Sequence, residues 1–246
     1  MYSEFMKIIC LNTWGARVGE TFFDFVKKHS DADIFCFQEV GENAEEAFRT
    51  RYPMVKMNLL TDLKELLPDH NAFFRPTVLG IYGSALFIKK DIQVLEEGDV
   101  LIHKGYITPD ISGHHDRNMQ WATLEEGGKT FTIMNVHGLW NGQGKSDTSE
   151  RIAQSKRMRE FIDKIEGSKI LCGDFNLEPD TESLRIAGEG MRDLIKEYGI
   201  TSTRTSLYKK QIRFADYVFT STDIEVKRFE VLPDEVSDHA ALLLEI

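Results

Sequence analysis

The chain has 246 residues, of which 41% are hydrophobic and 28% charged, the proportions of an ordinary globular protein within reach of one large α/β domain. Its 40 acidic and 30 basic residues give a formal net charge of −10, which disfavours tight, processive binding to long nucleic acid, because such binding draws on a cationic surface that releases counterions. No apolar run approaches the ~18 residues of a membrane span, and the start lacks the basic and apolar regions of a signal peptide, so the expectation is a cytoplasmic protein.

In chain order, residues 1–5 are expected to form a disordered leader before a strand at Lys7–Leu11. A helix at Thr21–Lys28, a strand at Asp33–Phe37 and a helix at Ala44–Arg51 follow, the last from apolar Ala44, Ala47 and Phe48 at helical spacing. The middle reads as β structure: Ser84–Lys89, Ile92–His103, Met119–Glu125 and Lys129–His137, the last two joined at the Glu126-Gly127-Gly128-Lys129 turn into a hairpin. Ser149–Ile165 is the clearest helix. Asp147 is its expected N-cap with Glu150 completing a capping box, Ile152, Met158, Phe161, Ile162 and Ile165 give an apolar face, and Gly167 stops it. A strand at Lys169–Cys172, short helices at Thr181–Ala187 and Met191–Tyr198, and strands at Phe214–Thr220, Ile224–Val231 and Ala240–Ile246 close the chain. Roughly a dozen strands with helices towards both ends predict two packed sheets covered by outer helices, in a single domain spanning residues 1–246. Cys10, Cys36 and Cys172 fall in strands, match no metal or redox spacing, and are expected as reduced core residues.

Polar residues gather where the apolar runs stop. Leu11-Asn12-Thr13-Trp14 ends the first strand and Phe37-Gln38-Glu39-Val40 the second; Gly173-Asp174-Phe175-Asn176 follows Lys169–Cys172, and Ser237-Asp238-His239 precedes the last strand. Alone, Asn12 reads as a turn residue and Glu39 as an exposed strand-end charge. Together, four strand ends carrying Asn, Glu, Asp-x-Asn and Asp-His place hard oxygen donors and an imidazole on rigid backbone, as a divalent-metal hydrolase requires. Hydrolysis of a phosphoester needs an electrophilic phosphorus, an aligned water and a neutralised leaving oxygen. Mg²⁺ supplies the first and third through oxygen ligands at about 2.0–2.1 Å, with Mn²⁺ as its natural substitute. Glu39 is the leading ligand, Asn12 offers an amide oxygen beside it, and Asp238 is a third, bound directly or through water. Asp174 and Asn176 alternate on an extended segment and so point to one side. Asp174 would orient or deprotonate the attacking water, and Asn176 would donate to a phosphate oxygen.

With Arg117 of Asp116-Arg117-Asn118-Met119-Gln120, His137 of Asn135-Val136-His137-Gly138 and Asp216 of Ala215-Asp216-Tyr217-Val218-Phe219 between them, these motifs stand in an order that resembles the endonuclease/exonuclease/phosphatase superfamily, the fold of pancreatic deoxyribonuclease. The resemblance implies a four-layer α/β sandwich, two packed mixed β-sheets flanked by helices, with the site at one rim between the sheets. It implies that Asn12, Glu39 and Asp238 surround the metal and that Asp216 pairs with His239 as a dyad. It also implies that His137 contacts the scissile phosphate, as in deoxyribonuclease-like and several phosphatase branches. The abasic-site endonucleases carry Tyr there, which argues against a DNA-repair assignment.

Arg117 can hold a phosphate bidentately. Residues 201–213, with Arg204, Lys209, Lys210 and Arg213, read either as a mobile substrate loop or as a solvated surface loop. Trp14 and Trp140, in glycine-bearing loops, read either as base- or sugar-stacking platforms or as core. The expectation is a monomeric Mg²⁺-dependent phosphoesterase, first of all a nuclease hydrolysing DNA or RNA, so that the partner is nucleic acid or a nucleotide. The alternative is a phosphatase or phosphodiesterase for a small phosphorylated metabolite or lipid headgroup. A binding module that has lost catalysis is disfavoured, because every expected polar position is filled.

Overall fold

The computed structural model describes residues 5–44, 52, 54–106, 111 and 115–246. Strands β1 (Lys7–Asn12), β2 (Ile34–Gly41), β3 (His70–Val78), β4 (Tyr82–Lys89), β11 (Arg228–Val231) and β12 (Leu242–Glu245) form a six-stranded sheet in the order β11-β12-β1-β2-β4-β3. Strands β5 (Gln93–His103), β6 (Arg117–Glu126), β7 (Lys129–His137), β8 (Ser168–Asp174), β9 (Arg192–Asp193) and β10 (Asp216–Thr220) form a second, in the order β5-β6-β7-β8-β10-β9. Each sheet has one parallel pair near its centre, β1 with β2 and β7 with β8, among antiparallel neighbours. The fold is the expected α/β sandwich of two mixed sheets.

Side chains on a strand alternate between faces, and the sequence uses both faces of the first sheet. Ile8, Cys10, Ile34, Cys36, Leu86, Ile88, Leu242 and Leu244 pack into the core that the two sheets share. The residues between them, Ile9, Leu11, Phe35, Phe37, Ala85, Phe87 and Leu243, join a second core with helices α1 (Glu20–Lys28) and α2 (Leu59–Leu66). That is why these strands read as nearly unbroken apolar runs. The three cysteines are free and buried in the interior, as expected. Polar links cross between the sheets: Gln38 Nε2 on β2 donates to Asn135 Oδ1 on β7 at 2.6 Å, and Asn135 Nδ2 donates to the Phe37 carbonyl at 3.1 Å. Removing either partner would strand the other in a dry interior, at about 1–3 kcal/mol.

Helix α3 (Ser149–Ile162) departs from its expected construction. Its N-cap is Thr148, whose Oγ1 accepts from Arg151 N, while Asp147 caps the next helix, α4 (Glu182–Ala187), by accepting from Glu182 N and Ser183 N at 2.8 and 2.9 Å. Its buried face includes Arg151, Gln154 and Ser155 as well as Met158 and Ile162, because that face holds a loop through hydrogen bonds. Arg151 donates to the carbonyls of Ser146 and Gly144, each at 2.6 Å, and Leu139 N donates to Gln154 Oε1 at 2.9 Å. Helix α5 (Leu194–Glu197) is a single turn. The helix expected at Ala44–Arg51 lies outside the described residues but for Ala44.

Candidate active site

Register brings the motif residues together. In the parallel β7–β8 pair His137 stands opposite Asp174, and in the antiparallel β8–β10 pair Asp216 stands opposite the same Asp174, so three polar residues lie abreast on three adjacent strands. Gly173 makes this possible: its φ is 141°, and a Cβ there would sit inside the van der Waals envelope of the Val136 carbonyl. In the other sheet the β2–β4 register shifts between Phe37 and Val40, and Glu39 within that bulge has φ 61°. A bulge re-aims a side chain that plain alternation would point elsewhere. Asn176, just past β8, has φ 54°. Such left-handed conformations at non-glycine residues hold only where surrounding contacts enforce them.

The side chains form one network. Asn12 Oδ1 accepts from Trp14 N at 2.9 Å, which fixes the amide so that Nδ2 donates to Glu39 Oε1 at 3.2 Å and to Asp174 Oδ2 at 3.0 Å. Asn12 therefore presents its nitrogen, rather than the expected oxygen, to the carboxylates. Asp174 Oδ1 accepts from Asn176 N at 2.8 Å. His137 Nε2 lies 3.9 Å from both Glu39 Oε1 and Asp174 Oδ2. His239 Nδ1 lies 2.8 and 2.9 Å from the two oxygens of Asp216, which assigns the proton to Nδ1 and leaves Nε2 facing Asp174 Oδ2 and Asp238 Oδ1, each at 3.7 Å. Asp174, Asp216 and His239 also present ligand atoms within 4.8 Å of one another. Within this trio only Asp216 and His239 are hydrogen-bonded, and Asp174 faces the far side of the imidazole at 3.7 Å. Glu39 and Asp238 also face the pocket, and among the described residues the buried Oδ1 of Asp238 has no hydrogen-bond partner.

Electrostatics sort the groups by charge. Burial alone would raise the Asp174 carboxyl, but His239, Lys145, His137 and Arg204 together hold it well below the usual carboxylate range. Burial, then Arg117, pushes His137 well below the usual imidazole range, so it is neutral. His115 is pushed down to about 3, by burial and then by Arg117. Arg117 itself is buried beside Tyr82, Asp174 and Glu39, and its Nε and Nη1 find no partner among the described residues.

Glu39, Arg117, His137, Asp174, Asn176, Arg204, Asp238 and His239 all line one pocket of about 200 Å³; Asn12 and Asp216 stand behind it, holding Glu39, Asp174 and His239. The 201–213 segment is tied to the fold near both ends: Thr203 N donates to the Arg213 carbonyl at 2.9 Å, Ala240 N to the Thr203 carbonyl at 3.0 Å, and Arg204 pairs with His239 in an isolated β-bridge. Arg204 is consequently buried, with Nη1 3.2 Å from Asp238 Oδ2, whereas Lys209 and Lys210 are exposed. The pocket adds Tyr82 and Tyr208, which the motifs did not single out, and takes Lys145 from the glycine-bearing Trp140–Lys145 loop, whose place beside the site the sequence suggested. The one available signal was the mixed Gly-Lys-aromatic composition of that loop.

The profile of the Endonuclease/Exonuclease/phosphatase family matches residues 9–239. No match is found among the curated proteins. Among solved structures, the mannosyl-6-phosphatase of Bacteroides thetaiotaomicron superposes with TM-score 0.73 at 22% identity, covering 98% of this chain and 99% of that one. The human Nocturnin catalytic domain with bound sulfate superposes with TM-score 0.69 at 21% identity, covering 98% and 92%. The Danio rerio TDP2 complex with a single-stranded DNA product gives TM-score 0.73 at 16% identity, covering 99% of each. At these identities the likeness is one of fold.

Proposed function

This chain belongs to the endonuclease/exonuclease/phosphatase family, and from that premise we propose that it is a divalent-metal-dependent phosphoesterase whose scissile phosphate lies between Arg117 and His239. The carrying observation is that two unfinished half-sites meet in one pocket. One is the carboxylate pair Glu39 and Asp238, with its orphaned Oδ1; the other is the Arg117 guanidinium, with two buried nitrogens that find no acceptor. An unpartnered buried donor costs about 1–3 kcal/mol, and more when charged. A phosphate relieves the guanidinium, and a hard cation relieves the carboxylates. The donor set is oxygen only, which fits Mg²⁺ or Mn²⁺. Glu39 and Asp238 would hold the ion, and Asn12 would orient Glu39 through its amide nitrogen. Bound there, the ion polarises the phosphorus and neutralises the leaving oxygen.

The chain's own groups divide the remaining work. Asp174, kept ionised, accepts from the attacking water and aligns it in line with the leaving group. Asn176 presents its side-chain amide to a non-bridging oxygen. His239, with Nδ1 committed to Asp216, turns Nε2 towards the phosphoryl group. His137, being neutral, contacts the phosphate without competing with the cation for Glu39.

The pocket volume of about 200 Å³ lies below the ~300 Å³ at which pockets begin to enclose a drug-sized ligand. Cations gather around it in a chain of net charge −10. Both points favour a small phosphorylated compound, or the end of a chain, over the interior of a duplex. Nucleic acid is the second reading, supported by Trp14 and Trp140, half-buried beside the pocket with Arg17 and Lys210 lying 5.1 and 5.2 Å from their respective ring centroids. Such faces suit base stacking. The test is a screen of hexose and inositol phosphates, nucleotides and single-stranded oligonucleotides with Mg²⁺. Hydrolysis is expected to stop on chelation and to fall sharply in Glu39→Gln, which should also weaken Mn²⁺ binding by calorimetry. Full turnover in excess chelator would overturn the metal assignment.

A further inference from the structure

Beside Asp238 the same pocket holds cations other than Arg117. Lys145 is 2% exposed, yet among the described residues its ammonium has no carboxylate within ion-pair distance; its hydrogen bond goes to the Phe214 carbonyl at 3.1 Å. The Arg204 side chain is 3% exposed, spends Nη1 on Asp238, and leaves Nε buried without a partner. Both cations face the ring of Tyr208, at 4.2 Å for the Arg204 guanidinium and 5.8 Å for the Lys145 ammonium. Lys210 is exposed and lies over Trp140. A buried ammonium without a counter-charge is costly. Lys145 without a paired carboxylate and Arg204 with its Nε still unspent meet around one ring, backed by a loop that Arg151 ties down, and so leave donors for an anion.

We infer that Lys145, Arg204 and Lys210 form a second phosphate subsite, so that the substrate carries another phosphate next to the one that is cleaved. This rests on the reading that places the scissile phosphate between Arg117 and His239. Arg117 is adjacent to Tyr82 and Glu39, and its orphaned nitrogens serve the first phosphate; Lys145 and Arg204 are adjacent to Tyr208 and Asp238, and serve the second. The shared chemistry has two sources, a small bisphosphate or the neighbouring phosphate of a short nucleotide chain.

The decisive measurement is binding by calorimetry to the Mg²⁺-loaded protein, with inorganic phosphate, inorganic pyrophosphate and a 5′-phosphorylated dinucleotide as probes. Pyrophosphate or the dinucleotide is expected to bind at least tenfold more tightly than phosphate. Lys145→Met and Lys210→Ala should each cut that ratio at least threefold. The ratio is read within one variant, so a poorly folded protein lowers both affinities without mimicking the effect, and exposed Lys210 keeps the test open if Lys145→Met fails to fold. Tighter binding of pyrophosphate identifies a small bisphosphate; tighter binding of the dinucleotide, weakening with salt, identifies a nucleotide chain. A ratio near one in the parent protein, or one that neither variant changes, overturns the subsite. Absence of hydrolysis of any phosphoester would instead strike at the phosphoesterase reading, which this binding measurement does not require.

Discussion

At the scale of single residues, the site separates groups that line the pocket from groups that act through others. Asp174 and His239 belong to the first kind, and Asp216, whose two oxygens lie 2.8 and 2.9 Å from His239 Nδ1, to the second. Asp174→Ala and His239→Ala should each lower kcat on the order of 10²–10⁴-fold with much smaller changes in KM, as for interactions made mainly in the transition state. Because Asp216 acts through the imidazole, Asp216→Asn combined with His239→Ala should be little worse than His239→Ala alone. Steady-state kinetics of the four proteins decide it, and additive losses would show that the pair is not a unit. Arg204 belongs nearer the chemistry than its basic, Ser/Thr-rich segment suggested, since it is buried against Asp238.

At the scale of elements, the site depends on how closely β7 and β8 approach. Gly173 has φ 141°, and a Cβ there would meet the Val136 backbone, so Gly173→Ala must push the two strands apart or distort both. We expect a loss of about 3 kcal/mol or more, at the upper end for overpacking because the obstacle is backbone. This would be read as a lower urea midpoint at unchanged m-value; an unshifted midpoint would show that the strands yield freely. The strand ends were legible in the sequence because an apolar run stopping at a polar group is a local signal. Asn12, Glu39, Asp174 and Asp238 were all found in that way. What was not legible depended on distant partners. Strand β3 lies at the sheet edge with its middle only partly buried, and Pro76 falls at a register shift, so its pattern lacked clean alternation. The cap of α3 was misassigned because Asp147 and Thr148 can both cap, and only the arrival of α4 claims Asp147. Tyr82 and Tyr208 enter the pocket by tertiary packing, with no motif to mark them.

At the scale of the whole molecule, the fold buries imidazoles that must stay neutral, and this ties stability to pH. Burial lowers His70, His115 and His137 from the usual imidazole value, His115 to about 3. In the unfolded chain each titrates near 6.5. Below that pH the unfolded state therefore binds protons that the folded state refuses, and stability falls as pH falls, by up to about 1.4 kcal/mol per pH unit for each histidine. Asp174, held below its ordinary range, adds a loss in the same direction only once pH enters the carboxylate range. Glu126 and Asp193, raised by burial, act oppositely. Just below pH 6.5 the histidines should therefore govern the slope. Urea unfolding with chelator present, so that metal affinity does not enter, should show stability that falls gently from pH 8 to 7, where Lys145, lowered to about 8 by burial, finishes protonating in the folded state, and steeply from 6.5 to 5. His115→Gln, in which Gln can keep a donor towards the Asp116 carbonyl that the ring approaches at 2.8 Å, should flatten that slope by about one histidine's share. A slope unchanged by this substitution would place His115 in reach of water. Stability constant from pH 7 to 5 would mean that the folded molecule protonates these imidazoles without unfolding, and would overturn the linkage.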